Sequence, residues 1–519
     1  MQSSVASKDP QPQAILHRVV PPSSAQSRSW LWLAVAAALL LFANGANSIP
    51  LAAWLAPVFL LRFVRAQRAW IGLITAYLLL IATFMFQFRG MVPIPGVGYY
   101  IFLVSYGIPL VLPYVVDRLV ARRLRGLAAT LVFPAAFVVM EYLVSLGPYG
   151  TWCSVAYTQY GNLALLRLLS VTGLWGVTFL VTWFASVANW LWDEGLDSPQ
   201  TRQGAAVYAA IVLMVFLLGG VRMAVFPPSG ETVRVASISR RKVQPQPSDS
   251  AWAHMLANKA TTAELEEVRA GASAVDNDLL TRAEREAQAG ARIVFWGEGN
   301  APVFKEDEPA LLARGRELAA KYQIYLGMAL GTWNRGQHPP LENKLVLIKP
   351  DGQVAWEYFK ARPVPGGEAA VSITKDGRLR SLDTPYGRLS SVICFDADFP
   401  QLLAQAGALG ADVVLDPSND WRAIDPWHTQ MASFRAIEQG FNLVRHTKGG
   451  LSAAYDYQGH RLAAMDDYQA TDQALIAQVP TKGVRTIYSR LRDWFAWLCM
   501  VGLVGLVGMA VRDRAGVAA

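Results

Sequence analysis

The sequence predicts a bundle of about eight membrane-spanning helices joined to one α/β domain of about 260 residues. Hydrophobic residues make up 53% of the chain and charged residues only 17%, against about 25% in soluble domains, and the mean hydropathy is +0.25. Long apolar runs recur up to about residue 226 and once more near residue 500. Between them the pattern changes to short β-rich runs alternating with polar helical stretches. At roughly 150 residues per domain, 519 residues would otherwise suggest about three soluble domains. The composition excludes that, and it excludes a disordered or fibrous chain.

Crossing a hydrocarbon core about 30 Å thick takes about 18 or more apolar residues, because backbone polar groups facing lipid must be paired within the helix. Candidate runs lie near residues 29–46, 48–64, 69–88, 99–117, 126–146, 172–192, 205–226 and 494–511. Pro50 and Pro57 interrupt the second, which is the weakest. The first follows a polar tail, residues 1–28, with no cleavage-site pattern, and reads as a retained anchor.

The 47 basic and 39 acidic residues leave a formal charge of +8. With the first residue on the cytoplasmic side, the inner segments hold Lys8, Arg18, Arg28, Arg62, Arg65, Arg68, Arg118, Arg122, Arg123, Arg125, Arg202, Arg512 and Arg514. The outer loops hold Arg89 and Arg167, with Arg222 at the outer end of the seventh run. Basic residues concentrate on the cytoplasmic side of membrane proteins, so both termini are expected inside. Four parts follow: the tail 1–28, a seven-span domain 29–226, an outer-face domain 227–492, and a final span with a short tail, 493–519. The segment 227–492 is close to neutral, so the basic balance reports topology and gives no ground for a nucleic-acid partner. Cys153, Cys394 and Cys499 form no disulfide framework.

Within the long segment, Val233–Ser239, Arg292–Trp296, Ile324–Leu330, Lys344–Lys349, Leu389–Ile393, Val413–Leu415 and Phe441–Arg445 read as strands, bounded by Gly, Pro, Asn or Asp. Residues 260–289, 307–321 and 427–439 read as helices. Such alternation implies an α/β layered domain. No internal repeat is present.

A G-x-S-x-G elbow, a P-loop, an H-E-x-x-H pair and metal-ligand spacings are all missing from the sequence. None of the six histidines falls in a predicted span, which argues against an acyltransferase or proton relay built on an intramembrane histidine. What stands out is a set at the ends of strands: Glu298 ending Ile-Val-Phe-Trp-Gly-Glu, Lys360 ending Glu-Tyr-Phe-Lys, and Cys394 ending Ser-Ser-Val-Ile-Cys. Open α/β sheets place their sites there. A thiol is only a few per cent thiolate at neutral pH and needs a base or a cation beside it. Glu298 suits the base and Lys360 the cation for a tetrahedral oxyanion. Taken singly, Cys394 reads as a buried structural cysteine, Lys360 as a surface lysine and Glu298 as a loop or capping acid. Their combination gives them chemistry.

At these residues the chain resembles the nitrilase (carbon-nitrogen hydrolase) superfamily, whose members carry a Glu-Lys-Cys triad on an α-β-β-α sandwich. With spans on both sides of that domain, it resembles the apolipoprotein N-acyltransferase family in particular. Glu141, Tyr157, Gln159 and Thr172-Gly173-Leu174-Trp175-Gly176-Val177 resemble that family's outer loop and following span. Ser418-Asn419-Asp420, then His428, Gln430, Met431, Arg435, Ala436 and Glu438, resemble its loop and helix after the cysteine. The chain departs from the family pattern at Val144, Gly297, Pro363, Phe395, Asp396 and Trp421-Arg422-Ala423.

The resemblance implies acyl transfer from a membrane phospholipid, through a Cys394 thioester, to a diacylated apolipoprotein. It implies no cofactor, no metal, a bacterial inner-membrane location and a monomer. Glu368, Asp396 and Asn419 are implied as supporting active-site residues, and Glu141 and Trp421 as portal residues. Simpler readings stand beside these: Glu368 as a helix cap, Asp396 as a loop residue, and Glu141 as an interfacial acid paired with a neighbour. A membrane-tethered amidase and a catalytically silent scaffold are the alternative functions.

Overall fold

The computed structural model describes residues 23–94, 96–228, 230–470 and 474–518. The expected tail over residues 1–28 therefore lies, up to residue 22, outside the described residues. The helical part comprises α1 (Ser23–Leu40), α2 (Pro50–Ala66), α3 (Ala69–Gln87), α4 (Val97–Val120), α5 (Gly126–Ser145), the single turns α6 (Leu163–Leu166) and α7 (Leu169–Thr172), α8 (Leu174–Glu194) and α9 (Pro199–Val225). Among the described residues six helices are long and apolar enough to cross a membrane: α3, α4 with its extension to Arg123, α5, α8, α9 and Trp494–Arg512.

The first two expected spans are helical but shorter. The apolar part of α1 is Arg28–Leu40, and α2 has 17 residues. Asn44 accepts the Gly45 N–H at 2.8 Å and Gly45 adopts φ +74°, so the chain turns before the apolar run is complete. Pro50 then opens α2, a position where its missing N–H costs nothing. Helix α8 is the axis of the bundle, with 78% of its apolar window buried, whereas α9 has only 17% buried. Leu213, Leu217, Leu218 and Val221 on α9 are exposed, a stripe that suits lipid and not water.

The α/β part contains β1 (Thr232–Ile238), β2 (Ile293–Trp296), β3 (Ala301–Phe304), β4 (Tyr325–Trp333), β5 (Leu341–Ile348), β6 (Val354–Phe359), β7 (Ser381–Thr384), β8 (Gly387–Ser391), β9 (Val413–Asn419), β10 (Asn442–Lys448), β11 (Leu451–Tyr455), β12 (Arg461–Asp466) and β13 (Ala474–Pro480). Two mixed sheets result, one ordered β13-β1-β2-β4-β5-β6 with β3 beside β4, the other β12-β11-β10-β9-β8-β7. Their inner faces meet where His446 Nδ1 lies 2.9 Å from Ser237 Oγ and where Trp356 Nε1 donates to Ser391 Oγ at 3.3 Å. Helices Thr262–Gln288 and Glu308–Tyr322 cover the first sheet, and Trp427–Gln439 covers the second. This is the expected α-β-β-α sandwich. Its central strands are buried on both faces, which is why they read as continuous apolar runs. Strand β6 has the burial pattern of an edge, and the sequence reading caught only its end at Glu-Tyr-Phe-Lys; β12 is largely exposed, lacks such a run and escaped that reading.

The sandwich is tied to the bundle through the segment between α5 and α8. Thr151 donates its N–H and hydroxyl to the Asp398 carbonyl at 2.9 and 2.8 Å, Arg435 reaches the Tyr157 hydroxyl at 3.1 Å, and Trp175 Nε1 donates to Asp493 at 2.8 Å. Glu438 accepts the first N–H of α8, from Leu174, at 3.0 Å. This explains the Thr-Gly-Leu-Trp-Gly-Val run. Gly173 has φ +65°, and a Cβ there would overlap the Tyr488 ring. Gly173→Ala is expected to cost about 1–3 kcal/mol, from backbone strain together with overpacking. A thermal melt unchanged by the substitution would show that this junction yields.

Candidate active site

Glu298, Lys360, Cys394 and Asn419 sit at or just past strand ends, and those ends belong to both sheets. Glu298 lies two residues past β2, Lys360 one past β6, Cys394 three past β8, and Asn419 ends β9. Packing the sheets face to face brings these ends together around a cavity of about 550 Å³. Glu298, Lys360, Glu368, Asn343, Asn419 and Trp421 line it, and Pro93, from the connection between α3 and α4, closes one side.

At its base lies a polar chain. Lys360 Nζ donates to Glu298 Oε1 at 2.7 Å and to Glu368 Oε2 at 2.8 Å. Asn343 Nδ2 donates to the same two carboxylates at 2.7 and 3.0 Å. Glu368 also accepts the Val364 N–H at 2.8 Å, so it both closes its own loop and braces the lysine. The second oxygen of Glu298 is buried and has no partner. Burial pushes the Glu298 carboxyl up, with Lys360 drawing it partly back. Burial alone would lower Lys360, but the charges of Glu298, Cys394 and Glu368 outweigh it and hold the ammonium well above its ordinary value.

Cys394 is 3% exposed and lies behind the cavity lining. Its φ of +54° is left-handed, an unusual conformation for a non-glycine residue and one that turns the thiol out of line with β8. The strain is held by partners: the Cys394 N–H donates to Asp416 Oδ1 at 2.8 Å, and Sγ lies 3.9 Å from the Asn419 carbonyl and from Asp420 Oδ1. Burial, reinforced by the Glu298 charge, pushes the thiol well up despite Lys360. The resting residue is therefore a thiol.

Asp396 faces away from the cavity. Its carboxylate accepts the Tyr358 hydroxyl at 2.8 Å and the N–H groups of Ile393 at 3.0 Å and Arg362 at 2.8 Å. It thereby locks the Cys394 turn to the Lys360 loop, and burial raises it to about 7. Trp421 donates its indole N–H to the Gly90 carbonyl at 2.8 Å, joining the site to the end of α3. Beside Gly90 an apolar groove of about 680 Å³ runs between α3 and α4, lined by Met85, Phe86, Ile94, Tyr99 and Tyr100. Glu141 is not at the cavity. It accepts Val155 N at 2.8 Å, Thr178 Oγ1 at 2.7 Å and Ser154 Oγ at 2.9 Å, shaping the loop that carries Thr151 to Asp398. Gly297, a departure from the family pattern, has a local cause: a Cβ there would lie 2.6 Å from the Asn300 amide and from the His446 ring.

Two contributors escaped the sequence reading. Asn343 sits in β5 within Glu-Asn-Lys, a polar triplet interrupting an apolar strand, and that interruption was the available signal. Arg445 in β10 is another such interruption. Its guanidinium pairs with Asp416 at 2.5 Å, lies 2.9 Å from His428 Nδ1, and donates to the Cys394 carbonyl at 3.3 Å. Cys394, Asp420 and His428 bring ligand-type atoms within 4.8 Å of one another. With Arg445 only 3.5 Å from Asp420, however, the set is a charge-compensated ion-pair cluster and a poor fit for a second cation.

His428 lies between Asp420 at 2.7 Å and Asp398 at 3.2 Å. Burial opposes its charge, but Asp420 wins and raises the imidazole to about 9. A pKa raised on folding gives stability that is complete below about pH 6.5 and lost as pH rises through about 9. Thermal stability is expected to fall over that window, with on the order of 3 kcal/mol from this group, and His428→Gln to flatten the fall. An identical profile in the variant would show that another group carries it.

Two family models match the chain: the apolipoprotein N-acyltransferase N-terminal domain over residues 24–187 and carbon-nitrogen hydrolase over residues 234–488. The apolipoprotein N-acyltransferase of Geobacter metallireducens is 27% identical over 88% of this chain and 88% of its own length. That of Bradyrhizobium diazoefficiens is 27% identical over 70% of each. A solved amidase from Nesterenkonia sp. is 20% identical, with a TM-score of 0.40, over 52% of this chain and 97% of its own. With the bundle matched by one model and the sandwich by the other, the chain belongs to the apolipoprotein N-acyltransferase family, within the carbon-nitrogen hydrolase superfamily.

Proposed function

We propose that this membrane protein transfers a fatty acyl group from a membrane phospholipid to the N-terminal amino group of a diacylglyceryl-cysteine apolipoprotein, through a thioester on Cys394. The observation that carries the reading is Glu298, whose Oε1 is held by Lys360 and Asn343 while its buried Oε2 has no partner, beside a cysteine in a strained turn. In the first step Glu298 takes the thiol proton as Sγ attacks the ester carbonyl carbon. The carbonyl electrons move onto oxygen, where Lys360 balances the charge. The intermediate collapses, the glycerol oxygen leaves with the proton from Glu298, and a thioester and a lysophospholipid result. In the second step the lipoprotein amine attacks the thioester carbonyl carbon and Glu298 accepts its proton; the C–S bond then breaks, the amide product forms, and Glu298 returns the proton to Sγ to regenerate the thiol.

Glu368 steadies Lys360, Asp396 joins the two loops, and Asn419 borders the thiol. Trp421 and the α3–α4 groove serve as the lipid entrance, with Glu141 organising the loop behind it. The bundle, residues 29–226 with the closing span in 493–519, keeps both lipid substrates in one leaflet and so raises their effective concentration. The sandwich, residues 227–492, faces the outer side of a bacterial inner membrane, with both termini inside and a monomer as the working unit. The distribution of basic residues supports that orientation.

Intact-mass measurement of the purified protein after mixing with phospholipid tests the reading. A fatty-acyl adduct is expected, discharged by a diacylated lipopeptide to a triacylated product. Discharge by water alone would make the protein a hydrolase, and the absence of any adduct would remove thiol chemistry altogether.

A further inference from the structure

A second cavity, of about 790 Å³, adjoins the first and shares Arg240, Trp252 and Pro302 with it. Its lining is net basic, with Arg240, Arg241, Lys242 and Lys448 against Asp249 and Asp467. Strands β1 and β2 run parallel with Ile238 opposite Trp296, so Arg240, two residues past β1, occupies the place beside Glu298, two residues past β2. Strands β9 and β10 run parallel with Asn419 opposite Lys448, which sets Lys448 beside the residue whose carbonyl lies 3.9 Å from Cys394 Sγ. Both cations thus stand one strand away from the reacting groups, at the same edge of the sandwich.

Both are partly buried, and among the described residues neither side chain has a hydrogen-bond or ion-pair partner. Asp276 and Asp467 act on them only at longer range. Arg241, on the same wall, is already paired with Asp278 at 2.5 Å. Burial, with Arg240 adding to it and Asp467 only partly offsetting it, brings Lys448 down to about 8. Two cations without a hydrogen-bond or ion-pair partner, in a cavity that adjoins the candidate ester-cleaving site, suit a phosphate, which brings charge and several acceptor oxygens at once, and the more distant Asp276 and Asp467 offset them only in part.

We propose that Arg240 and Lys448 bind the phosphate of the lipid donor, so that the headgroup occupies this side cavity while the ester reaches Cys394. The proposal rests on the acyltransferase reading above and names the feature of the donor that the site recognises. Lipids that share acyl chains but lack the phosphate give the test. Adduct formation on full-length wild-type, Arg240→Gln, Lys448→Gln and Arg240→Lys proteins is followed in micelles, with a phospholipid or with diacylglycerol as donor. For phospholipid, each Gln variant is expected to raise KM about tenfold or more, with kcat within about twofold, and Arg240→Lys to recover most of the loss. With diacylglycerol the variants should match wild type. Equal losses on both donors, or no loss on either, overturn the phosphate site while leaving the acyltransferase reading intact. A wild-type protein that takes no acyl group from phospholipid overturns both.

Discussion

Glu298→Gln is expected to slow acylation of Cys394 about 10²- to 10⁴-fold without unfolding the protein, and Cys394→Ala to abolish the adduct. Oxygen Oε1 of Glu298 is committed to Lys360 and Asn343, both at 2.7 Å, and the amide oxygen of Gln can keep both contacts. Oε2 is the unpartnered atom, and the amide nitrogen that replaces it is a donor that takes no proton. Lys360 retains Glu368 at 2.8 Å, so its charge is not stranded. The Cys394 thiol sits well above its ordinary value, which makes the base indispensable at neutral pH. The variant's residual rate should accordingly climb with pH as more thiolate forms unaided. A time course by intact mass at several pH values checks both points. Wild-type speed in Glu298→Gln would mean that another group takes the proton.

Arg445→Met is expected to destabilise the sandwich by about 3–5 kcal/mol, the usual result of removing one partner from a buried ion pair. Arg445, Asp416 and Asp420 are all buried side chains, and the arginine is the permanent cation among them. Without it, Asp416 is left to face the Cys394 N–H, and the strained turn loses its anchor at the Cys394 carbonyl. Asp416→Leu added to Arg445→Met should recover part of the loss, because the stranded charge goes with it. Chemical denaturation of the three proteins measures this. A loss under about 1 kcal/mol for Arg445→Met would show that water or a neighbouring group replaces the guanidinium.

Much of the site was legible because its members interrupt patterns. Glu298, Lys360 and Cys394 each end an apolar β-rich run, where a charged or reactive group has no packing role. Asn343 and Arg445 interrupt strands in the same way, yet a single polar residue inside a strand reads equally well as a turn or an exposed edge. Asp396 and Glu141 were legible as acids but not in their tasks. Each works by collecting N–H and hydroxyl donors from several segments, and no local spacing encodes which donors arrive. Arg240 and Lys448 left still less trace, since Arg240 falls in Arg-Arg-Lys and Lys448 in Lys-Gly-Gly, both of which look like solvated loops.

The sequence by itself determined the two-part architecture, the main spans and the alternation that makes a layered sandwich. Those depend on burial periodicity and on apolar run length, which act within a few neighbouring residues. It also showed that a shorter charge-bearing set sits at strand ends. Only the tertiary structure decided which strand ends meet, because the meeting points lie on two different sheets and depend on how these stack. It likewise decided that α1 and the chain after it turn early at Asn44 and Gly45, that Glu141 stands apart from the cavity, and that Arg240 and Lys448 line one cavity beside the strand ends. Electrostatics at such points is a sum over groups far apart in the chain, and the sum exists only once the sheets are packed.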